Sequence, residues 1–267
     1  MVKLKRLMLI FLTIILGGYL LICLGLYLFQ DSLIFFPRKL SENSSDVIKY
    51  KNYEITINSG DIRLHGWLLN KGREKLLIYY GGNGDQVSYD IPEMLKLEDY
   101  SVLLLNYRGY GLSEGRPGEK EIFSDALNVF DFITSELKLP PGNVTLLGRS
   151  LGSGVAVYVA SKRSVARVIL ATPFDSIRNI AKSRFPIFPV GLILRHPFES
   201  IKYASDVACP AMIIMAGKDS TIPNGHSLNL ANSWPGRCDI VKLDQADHND
   251  INTYPEFWEA VKSYLKQ

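Results

Sequence analysis

The longest uninterrupted pattern in the chain is apolar. Leu7 to Leu28 carries no charged residue, and as a helix at about 1.5 Å per residue it would extend roughly 33 Å, the thickness of a bilayer core. Lys3, Lys5 and Arg6 precede it, as in the n-region of a signal peptide. The apolar run is too long for that, however, and no A-x-A cleavage site follows. The reading is an uncleaved signal anchor over residues 1–30. Cys23 is then membrane filler, because Ile22 stands before it where lipoprotein processing wants a small residue. The alternative, a buried hairpin of two core helices, fits less well, since nothing polar breaks the run between Arg6 and Gln30 despite Gly17 and Gly18. Three basic residues before the span outweigh Arg38 and Lys39 after it, which Asp31 and Glu42 partly offset. This bias predicts a single-pass protein with its N-terminus in the cytoplasm and the remainder extracytoplasmic.

Residues 31–49 mix aromatics with a Ser/Asn/Asp cluster and have no period, so they read as a linker. From Tyr50 to the C-terminus the pattern changes to one globular domain. Tyr53–Ile57 and Ile62–Leu69 predict a hairpin, followed by strands at KLLIYY, SVLLLNY, NVTLLG, ARVILAT, AMIIMAG and DIVKL. The later runs are almost continuously apolar, as strands covered on both faces must be. Helix-like segments at Ile91–Leu97, Glu119–Leu137, Leu151–Ser161, Asn224–Ser233 and Tyr254–Leu265 alternate with them. The alternation predicts a mostly parallel sheet with helices on both faces. Residues 175–207 break the rhythm: RFPIFPVGLILRHPF stands where one helix is expected, and its prolines and apolar residues predict a small lid over a site.

Composition narrows the function classes. With 47% hydrophobic and 21% charged residues the chain is not disordered, and a formal net charge of +3 gives no support to a nucleic-acid partner. Three cysteines make no disulfide scaffold. Cys209 and Cys238 each precede a predicted strand, and adjacent parallel strands would bring them near the ~4.4–6.8 Å a disulfide requires. Two unpaired thiols is an equal reading.

The strongest chemical signal is LLGRSLGSG, where Gly148, Ser150 and Gly152 form a Gly-x-Ser-x-Gly elbow between a strand and a helix. Such a turn projects a hydroxyl from the sheet edge, and flanking residues without side chains let the backbone turn tightly. A serine hydroxyl is a weak nucleophile, so it needs a base and a carboxylate that orients the base, in the chain order Ser, acid, His. Four histidines are available. His65 precedes the elbow, His196 lies in the lid and His226 opens a helix, whereas His248 sits in the polar QADHNDI loop between the last strand and last helix. Asp219, ending AMIIMAGKD, is the favoured acid. Asp175 is the runner-up, Asp247 and Asp250 are read as shaping the histidine loop, and Asp244 is weaker still. Acyl transfer also needs donors for an oxyanion. The Leu151 amide is one; the other falls in YYGGNGD, with Asn83 chosen and Gly82 the nearest alternative. No phosphate-binding glycine pattern is present in that loop.

Together with GRSLGSG, AGKDSTIP and DHNDI, the segment NYRGYGLSEGRP (Asn106–Pro117) resembles the membrane-anchored abhydrolase-domain serine hydrolases, over nearly all of the chain from Tyr50 onward. The resemblance implies the α/β-hydrolase fold, with an eight-stranded, mostly parallel sheet, a short lid and one preceding transmembrane helix. It implies a triad of Ser150, Asp219 and His248 and activity on esters or thioesters, including those of acylated proteins. The apolar lid and the anchor favour a hydrophobic acyl group, and without clustered Cys/His ligands no cofactor and no metal is expected. One departure stands out: Gly81-Gly82-Asn83 replaces the His-Gly-Asn usual after the third strand. A peptidase of the same fold and a catalytically silent membrane scaffold are the rival readings.

Overall fold

The computed structural model describes residues 2–267. Its first element is a single helix, α1 (Val2–Ile34), long and apolar enough to cross a membrane, and the most apolar stretch of it is not buried in the protein. The helix runs four residues past its predicted end. Residues 35–49, read as a linker, are docked on the body. Phe35 is buried, Lys39 forms a bridge with Gly111, and a short helix α2 (Ser45–Lys49) follows.

Eight strands make one sheet: β1 (Glu54–Ser59), β2 (Ile62–Leu69), β3 (Lys75–Tyr80), β4 (Tyr100–Leu105), β5 (Val144–Arg149), β6 (Arg167–Ala171), β7 (Ala211–Ala216) and β8 (Cys238–Leu243). Their order is β1-β2-β4-β3-β5-β6-β7-β8. The β1–β2 and β2–β4 pairs are antiparallel and all others parallel. Between them lie α3 (Ile91–Met94), α4 (Glu119–Glu136), α5 (Leu151–Lys162), α6 (Ile177–Arg184), α7 (Val190–Ile193), α8 (Ser200–Ala204) and α9 (Asn224–Asn232), and α10 (Pro255–Leu265) follows β8.

The central strands are mostly apolar because both faces are covered. Leu76, Ile78 and Tyr80 of β3 point into one core with Phe123, Val155 and Phe198, while Leu77 and Tyr79 point into a second with Ile214, Phe257 and Val261. The edge strand β8 is only partly buried, with Ile240 half exposed. In-register pairing of β3 with β5 sets Tyr80 opposite Gly148 and brings two strand ends, and the loops that follow them, together at one sheet edge.

β7 and β8 are neighbours, as expected, but the register sets Cys238 opposite Ala211. Cys209 therefore lies outside the paired strands, where its carbonyl accepts the Trp234 indole N–H at 2.9 Å. Both thiols are free, and burial pushes each up to about 11.

The segment 175–207 folds as α6, α7 and α8. Its tip exposes Phe185, Ile187 and Leu192, and α7 packs on α1. The far end is held by Glu119, whose carboxylate accepts the Phe198 amide at 3.0 Å. Burial pushes Glu119 up to about 7, above its unfolded value of about 4.3. The folded state thus retains a proton that the unfolded chain has lost, so this site's contribution is fully present below about pH 4.3 and is lost as pH rises through about 7. Glu119→Gln keeps the acceptor and removes the charge. It should raise the melting temperature at pH 8 and leave it unaltered near pH 4; a gain equal at both values would contradict this origin.

Candidate active site

Ser150 sits between β5 and α5 at φ 49° and ψ −117°, a conformation that side chains rarely adopt. Its amide donates to the Ala171 carbonyl at 2.9 Å, anchoring the turn to β6. Both flanking glycines are sterically required. A Cβ on Gly148 would collide with the Gly152 carbonyl, and one on Gly152 with the Tyr80 carbonyl.

The three sequence-predicted triad residues are brought together. His248 Nε2 lies 2.8 Å from Ser150 Oγ, and His248 Nδ1 lies 2.9 Å from Asp219 Oδ2. The carboxylate fixes the proton on Nδ1, which leaves the Nε2 lone pair facing the hydroxyl. Asp219 is held in turn by the amides of Thr221 (3.0 Å) and Ile222 (2.6 Å) on its other oxygen. Both side chains are almost wholly buried, so the chain of hydrogen bonds works in a low-dielectric setting.

The competing residues are committed elsewhere. Asp175 pairs with His226 Nδ1 at 2.8 Å and accepts from Asn179 and Asn229. His65 lies between Glu54 and Asn106, and His196 contacts Asp31. Asp244 meets Lys242 at the surface. Asp247 and Asp250 shape the histidine loop: Asp250 caps the Asp247 amide, while Asp247 accepts the amides of His248 and Ser220. The Ser220 and His248 amides hold Asp247 below the usual carboxylate range.

Leu151 opens α5 directly after Ser150, so its amide has no acceptor within the helix. In the opposing loop the Gly82 amide is occupied by Asp85 at 2.5 Å, which leaves Asn83 as the available donor of the two weighed from sequence. The Asn83 side chain accepts the Phe36 amide at 2.9 Å and the Tyr110 hydroxyl at 3.1 Å.

Sequence reasoning missed the link between the two loops. Arg149, next to Ser150 and 10% exposed at its side chain, pairs with Asp85 at 2.7 Å and donates to the carbonyls of His248 (3.4 Å) and Asn249 (3.3 Å). It ties the loop after β3 to the histidine loop. The signal was the charged residue inside each motif, Arg149 in GRS and Asp85 in GGNGD. Removing one member of a buried pair costs about 3 kcal/mol. Arg149→Met should therefore lower the melting temperature by roughly 6–12 °C for a domain of this size. With both loops loosened, kcat should fall about a hundredfold. Unchanged kcat in the folded variant would contradict the positioning role.

Among the described residues no group of three His, Cys, Asp or Glu is placed to hold a metal ion. The arrangement can perform proton transfer and nucleophilic attack from its own side chains.

Comparisons with known proteins agree with this architecture. A family described as the alpha/beta hydrolase fold matches residues 74–192. An uncharacterised protein of Mycobacterium tuberculosis is 28% identical over 227 residues, covering 83% of this chain and 81% of that one. Alpha/beta hydrolase domain-containing protein 17C of Xenopus tropicalis is 30% identical over 165 residues, 62% of this chain and 52% of its own length. Among solved structures, the Pyrococcus furiosus esterase Pf2001 superposes with a TM-score of 0.66 at 19% identity, over 87% of this chain and 97% of that one. The strand order, the serine elbow after β5 and these matches agree on the α/β-hydrolase fold.

Proposed function

We propose that this chain is a serine hydrolase that cleaves an ester or thioester of a hydrophobic acyl group through an acyl-enzyme on Ser150. The observation that carries the reading is the unbroken hydrogen-bond chain Ser150–His248–Asp219, set on a strained elbow. His248 Nε2 takes the hydroxyl proton as Oγ attacks the carbonyl carbon, and the amides of Leu151 and Asn83 receive the oxyanion. The imidazolium, stabilised by Asp219, returns the proton to the leaving alcohol or thiol. Water, deprotonated by the same histidine, then releases the acid.

The setting supports a substrate at a lipid surface, since α1 has the length and composition of a membrane span and the lid tip is apolar. The proposed topology is single-pass with the N-terminus cytoplasmic and the hydrolase domain extracytoplasmic, following the excess of basic residues before the span. The test is hydrolysis by the full-length protein of p-nitrophenyl butyrate, a butyryl thioester and an aminoacyl amide. Ester and thioester turnover lost in Ser150→Ala is expected; turnover of the amide alone would replace this reading with a peptidase, and turnover of none would end it.

A further inference from the structure

The helix α1 is more than an anchor. It encloses, with the lid, an apolar groove of about 470 Å3, within the range of small-molecule sites. Ile22, Leu26 and Leu33 form one wall, at the spacing that places them on one helix face. Ile180, Phe185 and Ile193 form the other.

The two walls are joined by specific polar contacts. Gln30, buried despite its place in an apolar helix, donates to the Ile193 carbonyl at 2.9 Å and accepts the Arg195 amide at 2.6 Å. Asp31 accepts from Arg195 and His196 at 2.6 and 2.9 Å. Farther along, Tyr19 donates to the Ile187 carbonyl at 2.7 Å and stacks on Phe188. Tyr19 is ~16 Å along the helix from Gln30, about half the ~30 Å hydrocarbon thickness. The lid tip therefore runs beside the part of α1 that suits lipid. There Phe185, Ile187 and Leu192 are 54%, 72% and 86% exposed, and Phe185 lines the groove opposite Ile22.

At its other end the groove is lined by residues whose neighbours or side chains contact the loops that flank Ser150. Ile34 lines it, and two residues on, the Phe36 amide holds Asn83 of the oxyanion loop. Arg184 also lines it, and its guanidinium donates to the carbonyls of Ser220 and Thr221, next to Asp219.

We infer that this groove is the acyl-chain site, and that the substrate is a long-chain acyl ester or thioester already resident in the leaflet, whose chain enters between α1 and the lid. The inference rests on the serine hydrolase reading above. It extends that reading by making the membrane helix one wall of the substrate site. A chain lying there has its carbonyl end toward Asn83 and Ser150 and its tail toward lipid. Glycerol and cysteine thiol are the two carriers that share this chemistry.

The test uses full-length protein in phosphatidylcholine vesicles and a hexadecyl fluorophosphonate bearing a diazirine at the chain terminus. Displacement of fluoride by Ser150 Oγ fixes the head, and irradiation reports where the tail lies. Photo-adducts on peptides covering 22–34 and 177–194 are expected. An adduct on Ser150 whose tail crosslinks elsewhere overturns the groove while sparing the hydrolase; no adduct on Ser150 removes the reading on which the groove rests. In parallel, Leu26→Trp and Ala181→Trp fill the groove from either wall. Each should lower the C16-to-C4 ratio of kcat/KM at least tenfold, on monoacylglycerols or on S-acylated cysteine peptides, and the responsive series identifies the carrier. An unchanged ratio on both series contradicts the proposal.

Discussion

His248→Ala should lower kcat for ester hydrolysis by about four to six orders of magnitude while leaving the protein folded. The imidazole is the one base in hydrogen-bond reach of Ser150 Oγ among the described residues, and the other three histidines are engaged with Glu54, Asp31 and Asp175. Without it the hydroxyl must lose its proton to water. Asp219 still keeps the Thr221 and Ile222 amides, so the loop should hold its shape and the loss should fall on kcat rather than on the melting temperature. Steady-state kinetics with p-nitrophenyl butyrate, alongside a circular dichroism melt, checks both parts. A folded variant retaining a tenth of the wild-type rate would mean that the base is some other group.

Gly152→Ala should be the most destabilising single-methyl change in the chain, costing more than about 4 kcal/mol. Its added carbon would be driven into the Tyr80 and Gly81 carbonyls, which are backbone at the end of β3 and have no rotamer to escape into. Relief requires α5 to lift off the sheet, which would also displace Ser150 and Leu151 at its start. The matched control is Gly225→Ala in α9, where a Cβ meets nothing within 4 Å. That change should be neutral or slightly stabilising, since alanine is the better helix former. Thermal melts of the two variants are expected to separate by more than 10 °C; equal melts would contradict the close approach of α5 to β3.

Much of this architecture is legible in the sequence because the forces behind it are local. The apolar runs from KLLIYY to AMIIMAG are strands because burial on both faces leaves no polar position, and the proline-rich RFPIFPVGLILRHPF cannot continue as one helix. The elbow, GKD and DHND segments each announce a strand end followed by a polar turn, so Ser150, Asp219 and His248 could be chosen before any coordinates. What the sequence hid depends on pairs far apart in the chain. Gln30 and Asp31 read as the end of an apolar run, yet they bond to residues 193–196 and set the helix against the lid. Arg149 and Asp85 lie 64 positions apart inside two motifs, and nothing local points from one to the other, although their pairing couples the loops on either side of Ser150. The cysteines illustrate the same limit: adjacency of β7 and β8 was foreseeable, but their register, which leaves Cys209 beyond the pairing, was not.

The central claim is that Ser150 is an activated nucleophile. Intact-mass analysis of full-length protein treated with a fluorophosphonate tests it most directly. A single adduct is expected, mapped to the peptide containing Ser150, formed with wild type, absent from Ser150→Ala and strongly slowed in His248→Ala. An unmodified wild-type protein, or an adduct that survives Ser150→Ala, would contradict it.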